Sequence, residues 1–256
     1  MYYGKQTHSL PWLLSHIPSR PLAIHPMTDL ESISQTSAAI SLTLQGRNNM
    51  THALIHISKM TGKLEEFQSI STNTMTNEYC IKQNANGRDD NICTKCYSHT
   101  MLKSYRKNMQ PALQRNSDAL ANKVHDMEYL PQINQAWFRF NAHGELINLT
   151  HLENLNRIAK KNPHCSFALW TKRNDLVSKY YKTREKPANM ILIYSNAKVS
   201  TIMKNPPKHF DRTFNNVLEH EHKEKQNCTG QKCKDCRLCY TLGNGVTTIV
   251  EMVKKY

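Results

Sequence analysis

Four cysteines, Cys228, Cys233, Cys236 and Cys239, fall within a dozen residues of this chain, and thiols so close together serve no packing purpose. One loop that offers four thiolates satisfies either a tetrahedral zinc or the four irons of a cubane cluster. Cysteine-built zinc sites usually use two separated Cys-x2-Cys knuckles. Three short successive gaps resemble ferredoxin runs instead, so iron and sulfur are the first reading and zinc the alternative. An earlier group, Cys80, Cys93 and Cys96, supplies three more thiolates and no obvious fourth. Three protein ligands leave one iron of a cubane open to water, substrate or another side chain, as reactive clusters require. The alternatives for this group are a zinc with a histidine as fourth ligand, or one composite site made of Cys93, Cys96, Cys236 and Cys239. Cys165 lies in an apolar stretch and reads as a buried small hydrophobe.

With 256 residues, the chain is long enough for one substantial core. Its formal charge of +14 at neutral pH stays strongly basic even if the thiolates hold clusters, which favours anionic partners and nucleic acid first. The other reading of that charge is lysine and arginine scattered for solubility. The stretch from Leu10 to Leu14 is too short, and too interrupted by Pro11, to be the apolar segment of a secretion signal. No apolar run is long enough to span a membrane. The expected compartment is therefore the cytoplasm, where closely spaced cysteines bind metal more often than they form disulfides.

Prolines at 11, 18, 21 and 26 break any early helix, so residues 1–63 read as an irregular N-terminal extension and 64–256 as the metal-binding domain. Within the extension, Ala53, Leu54, Ile57 and Met60 have helical spacing over 49–60. His52 and His56 share a face of that helix and read as a surface pair. From residue 64 strands and helices alternate. Strands are expected at 67–72, 137–140, 165–170 and 190–194, and helices at 99–125 (kinked near Pro111), 149–161 and 174–181. A short helix over 211–218 and a closing strand or helix over 246–253 follow. His220 and His222, in a solvated charge run, diverge on a helix and are weak ligand candidates. Lys103, Arg106, Lys107, Arg115 and Lys123 form the polar face of the 99–125 helix, either a solvated face or a strip for phosphates.

Apolar strands alternating with helices belong to a parallel sheet covered on both faces. The fold class expected is α/β, a partial (β/α) barrel or an open parallel sheet, with a cysteine-rich C-terminal loop. In such folds the loops after the strands converge on one rim and make the site. Those loops carry Cys80, then His143 to Glu145, then Thr171 to Arg173, then Ser195 and Asn196. Gly144 and Glu145 thereby become candidates to face the first cysteine group in a small-molecule pocket. Glycine would let a ligand approach the backbone, and Glu145, the candidate catalytic residue, would fix a basic group. The competing reading is that Gly144 only makes the turn and Glu145 caps the next helix.

On these residues the chain resembles a family of phages and of bacteria that carry them, named after a mycobacteriophage gene product numbered eighty-eight. The resemblance rests on Ser71 to Asn77, Cys93-x2-Cys96 with Tyr97, Phe138 to Phe140 with Gly144 and Glu145, Phe167 to Lys172, Ile193 to Ser195, and the terminal cysteines with Tyr240. It spans residues 64–240. Glu145 stands where the pattern leads one to expect Asp. The order of parts is also similar to radical S-adenosylmethionine enzymes, in which a three-cysteine loop follows the first barrel strand and a Gly-Gly-Glu type motif follows the second. Here the cysteine spacing differs from Cys-x3-Cys-x2-Cys, and residue 143 is His. The resemblance implies a related scaffold of phage type, with S-adenosylmethionine as a candidate cofactor. The cysteine groups themselves lead to an iron–sulfur protein with two clusters, expected as [4Fe-4S], one with an open iron suited to redox or radical chemistry. The alternative function is a zinc-stabilised nucleic-acid-binding protein without redox chemistry.

Overall fold

The structure is a computed structural model that describes residues 54–218 and 225–253. Seven strands form one sheet: β1 (Ser58–Lys59), β2 (Gln68–Ile70), β3 (Trp137–Phe140), β4 (Ser166–Thr171), β5 (Met190–Ser195), β6 (Arg212–Val217) and β7 (Thr248–Met252). Their order across the sheet is their order along the chain. Only β1 runs antiparallel, to β2; every later pair is parallel. β1 and β7 are the two edges, so the sheet is open. Parallel neighbours need crossovers, and crossovers share one hand. With strand order unchanged, that hand sends each connecting helix to the same face.

One face of the sheet does carry the helices α3 (Gln110–Asn122), α4 (Leu149–Lys161) and α5 (Asn174–Tyr181). Leu120, Leu152, Leu155, Ile158 and Val177 pack there against Ile70, Phe138, Phe140, Phe167, Leu169 and Leu192, all essentially without solvent contact. Alternate residues of the same strands, Ala168, Trp170, Ile191 and Ile193, face the other way, where Leu64, Phe67 and Tyr240 cover them and Cys233 and Cys239 pack at the margin. The period-two alternation of the strands thus sorts the chain into a helix-covered face and a face that holds the chemistry.

The helices α4 and α5 and the strand β3 match the sequence reading to the residue. The long helix expected over 99–125 is two: α2 (Tyr97–Lys103) ends at Ser104, and α3 begins after a 3-10 turn, with Pro111 in its first turn. Proline starts the second helix, where its missing N–H costs nothing, so the basic residues do not form one continuous stripe. Two further expectations are corrected. Residues 212–217 form β6 and not a helix; Phe214, Val217 and Leu218 happen to fall at helical intervals, but the segment pairs in parallel with β5 on one side and β7 on the other, and Thr213 and Asn215 are fully buried there. Residues 54–60 are not helical: β1 hairpins onto β2, with the Met60 amide donating to the Phe67 carbonyl at 2.9 Å. The start of that stretch with His52, and His220 with His222, lie outside the described residues.

The segment 226–245 covers the chemistry face and is fastened from beneath. Arg212, only 2% exposed, reaches out of β6 so that its guanidinium donates to the carbonyls of Leu238 and Thr241 and, at 3.0 Å, to Asn244 Oδ1. Burying that cation for three acceptors is sound only while all three stay in place, and removing it leaves buried carbonyls unpaired. An Arg212→Met substitution is expected to cost about 3 kcal/mol. In limited proteolysis the 237–245 segment should be cut first while the sheet remains protected.

Candidate functional site

The first cysteine group is carried by short helical turns after β2. Cys80 lies in α1 (Glu78–Asn84), whose cap Asn77 accepts from the Tyr79 and Cys80 amides at 3.0 and 3.3 Å. Cys93 lies in a 3-10 turn capped by Asn91, and Cys96 immediately precedes α2. Asn84 Nδ2 donates to the Cys93 carbonyl at 2.8 Å and ties the two turns together. The Ile92 amide donates to Ala197 O at 2.9 Å, which anchors the group to the loop after β5.

Gly144 and Glu145 lie on the same rim, in the turn after β3. Gly144 has φ +80°, and a Cβ there would come 2.1 Å from Thr72 Oγ1 and 2.6 Å from the Thr72 carbonyl oxygen. Its glycine is required by the end of β2. Glu145 is buried, with Oε1 accepting from the Leu146 amide at 2.7 Å and the Thr171 hydroxyl at 2.5 Å, and Oε2 from the Lys172 amide at 2.8 Å. Burial nevertheless raises its pKa above the ordinary carboxylate value. The cap of α4 is Asn148, which accepts from the His151 amide at 2.9 Å; Glu145 does not serve that end.

Six of the seven site cysteines, Cys80, Cys93, Cys96, Cys228, Cys233 and Cys239, line a single cavity of about 1880 Å³, together with Gly144 and Glu145. Cys236 does not line it; its Sγ accepts from Gln231 Nε2 at 3.4 Å on the short turn α6 (Cys233–Cys236). Burial pushes the Cys80, Cys93, Cys228 and Cys233 thiols upward and that of Cys239 to about 12. Cys165 is buried in the helix-side core, as expected, and sits at about 12 for the same reason.

Three basic residues supply the counter-charge; Lys172 falls within a loop already expected on the rim and Arg139 within an expected strand, and Lys63 within neither. Lys172 is sunk in the cavity wall, with Nζ donating to Ser195 Oγ at 2.9 Å; desolvation works against its charge, and Glu145 together with Cys93, Cys96 and Cys80, when these are thiolates, favours it. Lys63 pairs with Glu251 and lies 3.6 Å from Cys228 Sγ. Arg139 projects from the middle of β3 onto Trp170, 4.1 Å from the ring centroid. A charged residue among the aromatics of β3 and a lysine in the rim loop Thr171 to Arg173 are readable signals in the sequence; Lys63 carries none. Among the described residues no three His, Cys, Asp or Glu side chains converge as the ligands of one metal ion. A cubane places its thiolates at the corners of a larger body and does not demand that convergence.

A family model described as gene product 88 matches residues 42–242. No curated protein and no solved structure matches the chain.

Two buried histidines give the fold a pH signature. Burial lowers His143 to about 4 and His151 to about 3. Both stay neutral in the folded protein while the unfolded chain takes up protons near 6.5, so stability is lost as pH falls below that value. Between pH 6.5 and 5 each histidine is expected to cost about 1.6 kcal/mol, read by urea denaturation at the two pH values. Glu145, raised by burial, acts in the opposite sense, so His151→Leu is the variant that isolates a single histidine: it should remove one such increment.

Proposed function

The chain belongs to the gene product 88 family, and on that premise we propose that it is an iron–sulfur protein whose two cysteine groups hold clusters in one shared cavity. Cys80, Cys93 and Cys96 hold a cluster with one iron free of cysteine, and Cys228, Cys233, Cys236 and Cys239 hold a second. The observation that carries the reading is that six of the seven site cysteines line one cavity. Lys172, beside the first group, is sunk in its wall and bonds a hydroxyl, whereas Lys63, beside the second, is already paired with Glu251. A buried ammonium is costly unless an anion accompanies it. Thiols raised by burial are neutral and do not provide that anion, whereas thiolates coordinated to metal are deprotonated outright. When bound, the clusters would supply one-electron chemistry; the protein supplies ligands, counter-charge and a cavity wall.

An open iron beside a cavity of this size suits an oxidoreductase acting on a small molecule. The version in which S-adenosylmethionine is that molecule rests on the place of Gly144 and Glu145 in the chain. Thr72 already accounts for Gly144, and three internal donors already occupy Glu145. Its test is spectroscopic: the signal of the reduced cluster should change on adding S-adenosylmethionine, and an unchanged signal removes this version alone.

Purified without oxygen, the protein is expected to be brown and to carry about eight irons and eight sulfides, the content of two cubanes. Cys93→Ser and Cys239→Ser should each remove about half. Colourless protein with stoichiometric zinc would refute the reading and leave the zinc-stabilised nucleic-acid-binding alternative.

The basic charge makes a separate claim. Lys103, Lys107, Arg115 and Lys123 are exposed, while Arg106 turns toward the cavity mouth. If they meet duplex phosphates, affinity should fall with salt with a log–log slope of about 0.9 per phosphate contacted. Absence of binding to DNA and RNA at low salt would discard a nucleic-acid partner.

A further inference from the structure

The wall of the cavity holds polar groups that nothing in the protein satisfies. Arg139 Nε is buried without a hydrogen-bond partner, and so are both amide atoms of Asn141, Nδ2 and Oδ1. Both residues line the cavity. They stand two apart, the first within β3 and the second just past its carboxyl end, which separates them by about 7 Å along the strand direction. Among the described residues no carboxylate forms an ion pair with Arg139; the Tyr240 phenol lies within hydrogen-bond reach of its guanidinium, and its other polar neighbours are the phenol of Tyr97 and the thiols of Cys239 and Cys233. Trp170 fixes the plane of the guanidinium from one side.

Asn141 holds φ at +57°, the left-handed region that asparagine tolerates better than other non-glycine residues, and its amide N–H donates to Ile70 O at 3.0 Å. The backbone is therefore anchored at the end of the strand while the side-chain amide has no hydrogen-bond partner. Buried donors and acceptors are nearly always paired in native proteins, and each exception calls for a ligand, a water or a function. A fixed guanidinium with a donor–acceptor amide beyond it, on the wall of a large cavity, matches the usual make-up of a small-molecule site.

We propose that the cavity wall between the two cysteine groups binds a small oxyanion-bearing molecule, with its carboxylate or phosphate on Arg139 and a hydroxyl, amino or amide group on Asn141. This deepens the reading above by naming the ligand class, yet Arg139 and Asn141 are not among the cysteine ligands and the two claims can fail separately. Guanidinium donates two parallel hydrogen bonds to a carboxylate or phosphate, which orients the ligand as well as holding it. The Asn141 amide both donates and accepts, so it discriminates a ligand with a polar group at that distance from one with bare methylenes.

The test is titration calorimetry on the protein purified without oxygen, with succinate, L-malate and inorganic phosphate as probes. Malate differs from succinate by one hydroxyl and should bind more tightly. Arg139→Gln should weaken every oxyanion that binds by about 10- to 100-fold. Asn141→Ala should erase the advantage of malate and leave succinate unchanged, which also covers the outcome that Arg139→Gln fails to fold. A preference for phosphate over both carboxylates would identify the source of the oxyanion and still support the site. No saturable binding of any probe at millimolar concentration overturns the proposal. So does equal affinity in wild type and Arg139→Gln, which would place the anions on the basic surface. Iron and sulfide are measured on every sample. Binding that depends on Arg139 in a metal-free protein would sink the cluster reading alone, and intact clusters without such binding would sink this inference alone.

Discussion

A sheet of apolar strands has to be covered twice, and here the two covers are of different kinds. With strand order equal to chain order, the crossovers place α3, α4 and α5 on one face and leave the other without a helix. That face is closed by the β1 hairpin and by a C-terminal segment whose apolar contribution is modest: Tyr240 packs fully, with Cys233 and Cys239 at the margin. Arg212 offsets the deficit with three hydrogen bonds to this cover, so a charged residue does what a helix would do in a closed layer. The cavity exists because the second cover is held at points and does not fill the space.

That incomplete cover also decides the electrostatics. Lys172 and Arg139 enter the cavity from the sheet side and Lys63 from the β1–β2 hairpin that covers it, and desolvation opposes every one of them. Lys63 has Glu251 for company, and Lys172 has Glu145 nearby, its two oxygens already bonded to neighbours in the wall. Arg139 has only phenols and thiols. The wall is thus more positive than its own side chains balance, and any group that settles in the cavity meets a potential suited to negative charge. The two proposals made above divide that excess between metal-bound thiolates and a mobile oxyanion.

Much of the architecture could be read in the chain because its strands and helices have clear periods. Trp137–Phe140, Leu149–Lys161 and Asn174–Tyr181 were legible because alternation or a 3.6-residue stripe runs unbroken between a cap and a stop, such as Asn148 at one end and Asn162 with Pro163 at the other. The strand at Arg212–Val217 was not, because its inward residues include Arg and its buried outward ones Thr and Asn, so hydrophobicity says little about burial there. The cysteines announced the site, and the topology brought six of them together. What the sequence hid was part of the second layer: Lys172 lies in a loop expected on the rim, but Lys63 looks like any surface lysine until the hairpin sets it beside Cys228. Gly144 was noticed for a different reason than the one the structure supplies, close contact with Thr72 rather than room for a ligand.

The equality of strand order and chain order has a consequence in time. A chain that lays its strands side by side as it emerges can build the sheet from β2 onward without waiting for a distant partner, apart from its last cover. Cys80, Cys93 and Cys96 are synthesised more than a hundred residues before Cys228, and at roughly 5–20 residues per second the interval is on the order of ten seconds. During it the first cysteine group stands at the edge of a growing sheet with no lid above it. On the proposed reading the first group can be loaded during that interval, before the last strand and its arginine-fastened segment complete the cavity wall.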